Sequence, residues 1–246
     1  MPSIFLSVAP ISAVLVSSAF AAHTYDAPAF VDPVGWNVGD TGTTYQLWDE
    51  FADTDNAPVG PDAGQWVTSP TAAAAPTLTV AAPAYMPAPG RTYSFAGNYD
   101  MAAAISNVAG ATGLGTHVIV QIAASINPDV DSSVASGTLH LVDGSGQVIL
   151  NGGEFADALR TTRFGDRVVG STFGPVTFGE SIFEFFLPDF AGDFEVRWTQ
   201  TVHSGIEAVR VDSMLASQAF SVTAVPEPAS LALLGVGLLM MPRRRR

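Results

Sequence analysis

Glu180, Glu184 and Glu195 are the strand-borne carboxylates from which glycoside hydrolysis would be built. That reaction needs one acid and one base or nucleophile at a fixed separation. Glu180 and Glu184 are four residues apart, so an extended chain puts both on one face. Alternation in a strand also accounts for all three as solvent-facing positions. His117, His140 and His203 fall inside strand patterns, and His23 lies near the start. His140 points away from the face that Leu139 and Leu141 share. No HExxH and no close histidine pair is present, so a zinc hydrolase has no scaffold here. Ser145 sits in Gly144-Ser145-Gly146, a turn, and no G-x-S-x-G occurs, which removes the serine-hydrolase signature.

Loop acids are the other chemistry-bearing group. Asp49-Glu50-x-x-Asp53-x-Asp55-Asn56 and Asn127-x-Asp129-x-Asp131 concentrate hard oxygen ligands of the kind calcium takes. Asp53, Asp55, Asp129 and Asp131 are the candidate ligands. Neither run is an EF-hand loop, and Asp and Asn also favour turns by bonding their own backbone. Calcium is the only candidate cofactor, and no motif requires one. Trp36, Trp48, Trp66 and Trp198 would stack on sugar rings if exposed, with core packing the preferred alternative. A flat threonine array for ice binding is absent, since Thr-x-Thr occurs only at three scattered places, Thr41-Gly42-Thr43, Thr77-Leu78-Thr79 and Thr199-Gln200-Thr201.

Strands must position these residues. Thr41–Phe51, Thr77–Ala81 and Arg91–Ala96 read as strands, the last with Tyr93 and Phe95 on one face. Tyr99–Val108 is ambiguous. Gly115–Ser125 is the central strand candidate. Gly137–Leu150 is a hairpin around Asp143-Gly144-Ser145-Gly146. Phe155–Arg160 is a strand or one short helix. Arg167–Val169, Thr172–Phe178, Ser181–Leu187, Asp193–His203, Ile206–Val211 and Gln218–Thr223 follow, separated by Gly, Pro or Asp. Phe194, Val196 and Trp198 share a face. Ten or more short strands predict an all-β fold, a single antiparallel β-sandwich of jelly-roll type, over residues 22–224.

Composition supports this. Only 13% of residues are charged, and there is neither cysteine nor lysine. Disulfides, thiolate metal sites and a cysteine nucleophile are therefore excluded. Without Arg243–Arg246 and Glu227, six basic residues face 22 acidic ones, a net charge of −16 over residues 22–226. Such a surface repels phosphate backbones, so nucleic acid is excluded as a partner.

The two ends give the address. Residues 1–21 read as a signal peptide: Ile4–Val16 is apolar, and Ala19-Phe20-Ala21 is a cleavage site of A-x-A form. It departs from the usual pattern in having no basic residue before the apolar run. Residues 225–246 begin with Val225-Pro226-Glu227-Pro228, where two prolines forbid a continuous helix. The apolar run to Met241 follows, and then Arg243, Arg244, Arg245 and Arg246, which stop transfer across a bilayer. Ala229–Met241 is 13 residues, roughly 20 Å as helix, against a bilayer core of about 30 Å. That length suits a short-lived transmembrane anchor.

The order Val-Pro-Glu-Pro, short apolar helix and arginine end resembles the PEP-CTERM sorting signal of Gram-negative bacteria. The signal is also catalogued as an ice-binding protein C-terminal domain. The resemblance covers about 22 of 246 residues. It implies processing near Pro226-Glu227-Pro228 by an exosortase-type enzyme. It also implies residence in the inner membrane before processing, then on the cell surface or in the extracellular matrix, with exopolysaccharide as a candidate partner. The expected function is that of a non-enzymatic exported protein, with a carbohydrate-binding module and, behind it, a glycan-active enzyme as alternatives.

Overall fold

Alternating and fully apolar β-forming runs dominate the chain, and the computed structural model turns them into strands. It describes residues 30–33, 36–37, 40–51, 58–65, 75–85, 91–107, 113–151, 154–155, 158, 160–171 and 174–217. The expected signal peptide, transmembrane helix and strand at 218–223 lie outside these residues. Among the described residues there is no helix, and thus none long and apolar enough to cross a membrane.

The strands are β1 (Thr43–Trp48), β2 (Ala63–Gln65), β3 (Thr77–Val80), β4 (Tyr99–Ile105), β5 (Gly115–Ser125), β6 (His140–Asp143), β7 (Leu150–Asn151), β8 (Glu154–Phe155), β9 (Arg160–Ser171), β10 (Gly174–Leu187), β11 (Phe194–Gln200) and β12 (Ile206–Ala216). They form a six-stranded sheet in the order β2-β1-β12-β5-β10-β9 and a four-stranded sheet in the order β3-β4-β11-β6. β7 and β8 pair separately. Every pairing between named strands is antiparallel.

One apolar core joins the inner faces of the two sheets. Leu78, Met101, Val196 and Trp198 come from the smaller sheet, and Val118, Val120, Ile122, Phe185, Val209 and Val211 from the larger. β11 alternates as its sequence predicts: Phe194, Val196 and Trp198 are buried, while Glu195 and Arg197 face outward. β5 is buried along all 11 residues. Its outer face is covered too, by Val31 and Trp36, which pack around Ile119 and Ile182. A strand closed on both faces reads as a near-continuous apolar run.

Several strand boundaries differ from the sequence expectation. The described part of the run Thr172–Phe178, from Gly174 on, and the run Ser181–Leu187 belong to one 14-residue strand, β10, and Arg167–Val169 lies within the 12-residue β9. Gly179 does not end the strand. It marks a register shift between Phe178 and Glu180 opposite β9. A Cβ on Gly179 would lie 2.5 Å from Asp166 Oδ1, and Gly165 takes φ +67°. Glycine in a strand is here the residue that a bulge needs. The expected strand at Arg91–Ala96 is reduced to a single bridge, Tyr85 to Tyr93. The hairpin over 137–150 forms, with Asp143 Oδ1 accepting from the Ser145 and Gln147 amides at 2.9 and 3.0 Å.

Candidate functional site

Small side chains on β4 open a trough on the outward face of the four-stranded sheet. The registers place Thr79, Ala102, Arg197 and His140 in one cross-strand row. Ala102 leaves space between longer neighbours, and the resulting groove holds about 640 Å³. Its polar groups are already oriented. Thr199 Oγ1 donates to Asp100 Oδ1 at 2.7 Å, and Arg197 pairs with Glu195. His140 Nδ1 lies 2.7 Å from the Thr138 carbonyl. A carbonyl only accepts, so Nδ1 carries a proton. The groove offers hydrogen-bond donors and acceptors, and Glu195 is held by an arginine rather than poised as a lone acid.

The opposite outer face carries the other carboxylates. Glu180 and Glu184 share one face of β10, but they are buried, at 1% exposure each, rather than solvent-facing. The reason is the cover over this sheet, which period-two alternation does not reveal. Arg167 Nη1 donates to Glu180 Oε1 at 2.6 Å, and Arg167 also pairs with Glu207. Arg91 Nη2 bonds Glu207 Oε1 at 2.9 Å. Both guanidinium groups lie over the Phe178 ring, at 4.9 and 5.2 Å from its centroid. Burial pushes the Glu180 and Glu207 carboxyls up, against the pull of Arg167.

On β12, Asp212 is fully buried and accepts from Arg210 Nε and Nη2 at 3.1 and 2.9 Å. Burial still raises its carboxyl to about 6, with the Arg210 charge as the main opposing influence. Gln121 ties the lead-in segment to the same face, accepting from Val31 N–H and donating to its carbonyl. This network escaped the sequence reading. Its signal was the scarcity of cations: Arg91, Arg163, Arg167, Arg197 and Arg210 all make ion pairs.

The remaining expectations resolve individually. Asp129 and Asp131 sit in an exposed turn. Asn127 Oδ1 accepts from Asp129 N–H at 2.8 Å, and Asp131 Oδ1 pairs with Arg163 at 3.1 Å. Turn chemistry thus occupies the second acidic run, while Asp53 and Asp55 lie outside the described residues. Among the described residues, no group of three or more His, Asp or Glu is placed to hold a metal. Trp36, Trp48 and Trp198 are buried, at 6%, 0% and 2% exposure, so none of the three offers a ring to a sugar. Trp66 is outside the described residues. His117 is buried in β5, and His203 lies in a turn rather than a strand.

Ala19, Ala21, Val225, Pro226, Glu227, Pro228 and Arg243–Arg246 are outside the described residues, so sequence comparison speaks for the tail. Residues 224–246 match the family model of the PEP-CTERM protein-sorting motif. The tail is a PEP-CTERM sorting motif. It covers the Val-Pro-Glu-Pro stretch, the apolar run and the arginines, and it marks an exported chain processed by an exosortase-type enzyme. No curated protein and no solved structure matches the chain.

Proposed function

We propose that this is a non-enzymatic protein of the cell surface or extracellular matrix, a jelly-roll domain delivered and released through its PEP-CTERM tail. The observation that carries this reading is the motif match over 224–246. The chain passes alternately between the two sheets, from β1 to β3 and β4, then β5, β6, β9 and β10, β11 and β12. That winding supports the jelly-roll reading. Support for a non-catalytic role comes from the carboxylates: Glu180 and Glu207 are clamped by Arg167, and Glu195 by Arg197. In this account the protein passes the inner membrane, is held there by the short C-terminal helix, and is cut near Pro226-Glu227-Pro228.

A second reading, a carbohydrate-binding module, is favoured by the groove whose lining includes Thr79, Asp100, His140 and Arg197. The test of the main reading is substitution of the motif. Glu227→Ala with Pro228→Ala should leave the precursor unprocessed and membrane-bound, while wild type is shortened. Equal processing of both would refute the assignment of the cleavage signal.

A further inference from the structure

Four rings meet outside the core at one end of the two sheets. The registers Tyr99 to Gln200 and Ala124 to Ile206 bring the segments 81–85, 91–98 and 201–205 to this end. Phe95 is 58% exposed and Tyr85 44%, and His203 is exposed as well. Tyr85 and Phe95 are near-parallel, 18° apart with centroids at 6.1 Å. Tyr93 packs on Phe95 at 4.6 Å, and His203 meets its edge at 6.4 Å.

The cluster is built rather than incidental. Tyr85 and Tyr93 exchange two backbone hydrogen bonds of 3.0 Å. The His203 amide donates to the Ser94 carbonyl at 3.0 Å, and the Val202 amide to Asn98 Oδ1 at 2.9 Å. Tyr99 OH donates to the Ser204 carbonyl at 3.1 Å. His203 takes φ +61°, a conformation costly for a residue with a side chain and often found where structure serves binding. Exposed aromatic surface rimmed by polar groups marks an interaction site.

Charge selects the occupant. The segment 22–226 carries −16, and Arg91, the cation nearest in sequence, is bound to Glu207. An anionic partner is repelled. Two phenolic hydroxyls and an imidazole beside ring faces suit a neutral ligand with an apolar C–H face and many hydroxyls. We propose that Tyr85, Tyr93, Phe95 and His203 form a stacking platform for the pyranose rings of a neutral polysaccharide. The site differs from both the tryptophans and the sheet groove, and it goes beyond the sorting reading.

The test is affinity electrophoresis of the full chain in a polyoxyethylene detergent, across a panel of neutral polysaccharides with alginate as the anionic probe. Retardation by at least one neutral polymer and none by alginate is expected. Phe95→Ala and Tyr85→Ala should each weaken it about tenfold, and Phe95→Trp should retain it. His203→Gly removes the imidazole while relieving the positive φ, so it should weaken retardation without loss of loop shape. Absence of retardation by every neutral polymer, equal retardation by alginate, or binding unchanged in the Phe95→Ala/Tyr85→Ala variant would overturn the proposal. So would wild-type self-association in sedimentation that this double variant abolishes, since the occupant would then be a second copy of the chain. Tail processing is measured separately, so neither failure is mistaken for the other.

Discussion

Arg167 Nη1 holds Glu180 Oε1 at 2.6 Å across the β9–β10 pair, and the second oxygen, Oε2, is buried without a hydrogen-bond partner among the described residues. The arginine thus compensates a carboxylate that the sheet has taken out of water. Removing one partner of such a pair strands the other.

Arg167→Leu should therefore destabilise the protein by about 3–5 kcal/mol, because it removes the cation paired with buried Glu180 and leaves Glu207 with Arg91 alone. Adding Glu180→Gln should recover part of that loss. Urea unfolding of the single and double variants measures both, and additive effects would count against the coupling.

Gly165→Ala should cost more than an ordinary strand substitution. Its φ is +67°, and an added Cβ would overlap Glu180 Oε2. A loss of about 1–3 kcal/mol is expected from the backbone conformation alone. An unchanged midpoint in the same unfolding assay would mean that β9 lacks the bulge at this position.

Asp212 makes stability depend on pH in the unusual direction for an aspartate. Its folded carboxyl is raised from 3.8 to about 6, so the native state binds the proton more tightly than the unfolded chain. The contribution is fully present below about pH 4 and is lost as pH rises towards 6, by about 3 kcal/mol. Glu180 and Glu207, also raised, act with the same sign. Asp212→Asn should flatten the fall of melting temperature across this interval. An unaltered slope would show that Arg210 fully offsets the burial.

Trp198→Ala should cost about 3–5 kcal/mol, since the indole is 2% exposed and lies between the sheets. Substituting Phe95, 58% exposed, should change the melting temperature little. Thermal unfolding of the two variants distinguishes core rings from platform rings.

The parts of this fold set by alternation were legible in the sequence. Phe194, Val196 and Trp198 point into the core as period two requires, and β5 reads as the central strand because it is closed on both faces. Tyr93 and Phe95 were placed on one face and do pack together. What alternation cannot say is whether the second face of a sheet meets water. Glu180 and Glu184 look solvent-facing until Val31 and Trp36 are seen over Ile119 and Ile182. Gly179 looked like a strand end because glycine marks both breaks and bulges, and only the partner strand distinguishes them.

The central claim is that the tail routes the protein through export and is then removed. It is tested most directly by intact mass and cell fractionation of the protein from its native host, with and without the exosortase-type enzyme. The expected result is a shortened protein, cut near Pro226-Glu227-Pro228 and recovered outside the inner membrane. Without the enzyme, the tail should be intact and the protein retained in that membrane. A full-length tail in the inner membrane under both conditions would contradict the claim and make residues 225–246 a plain anchor.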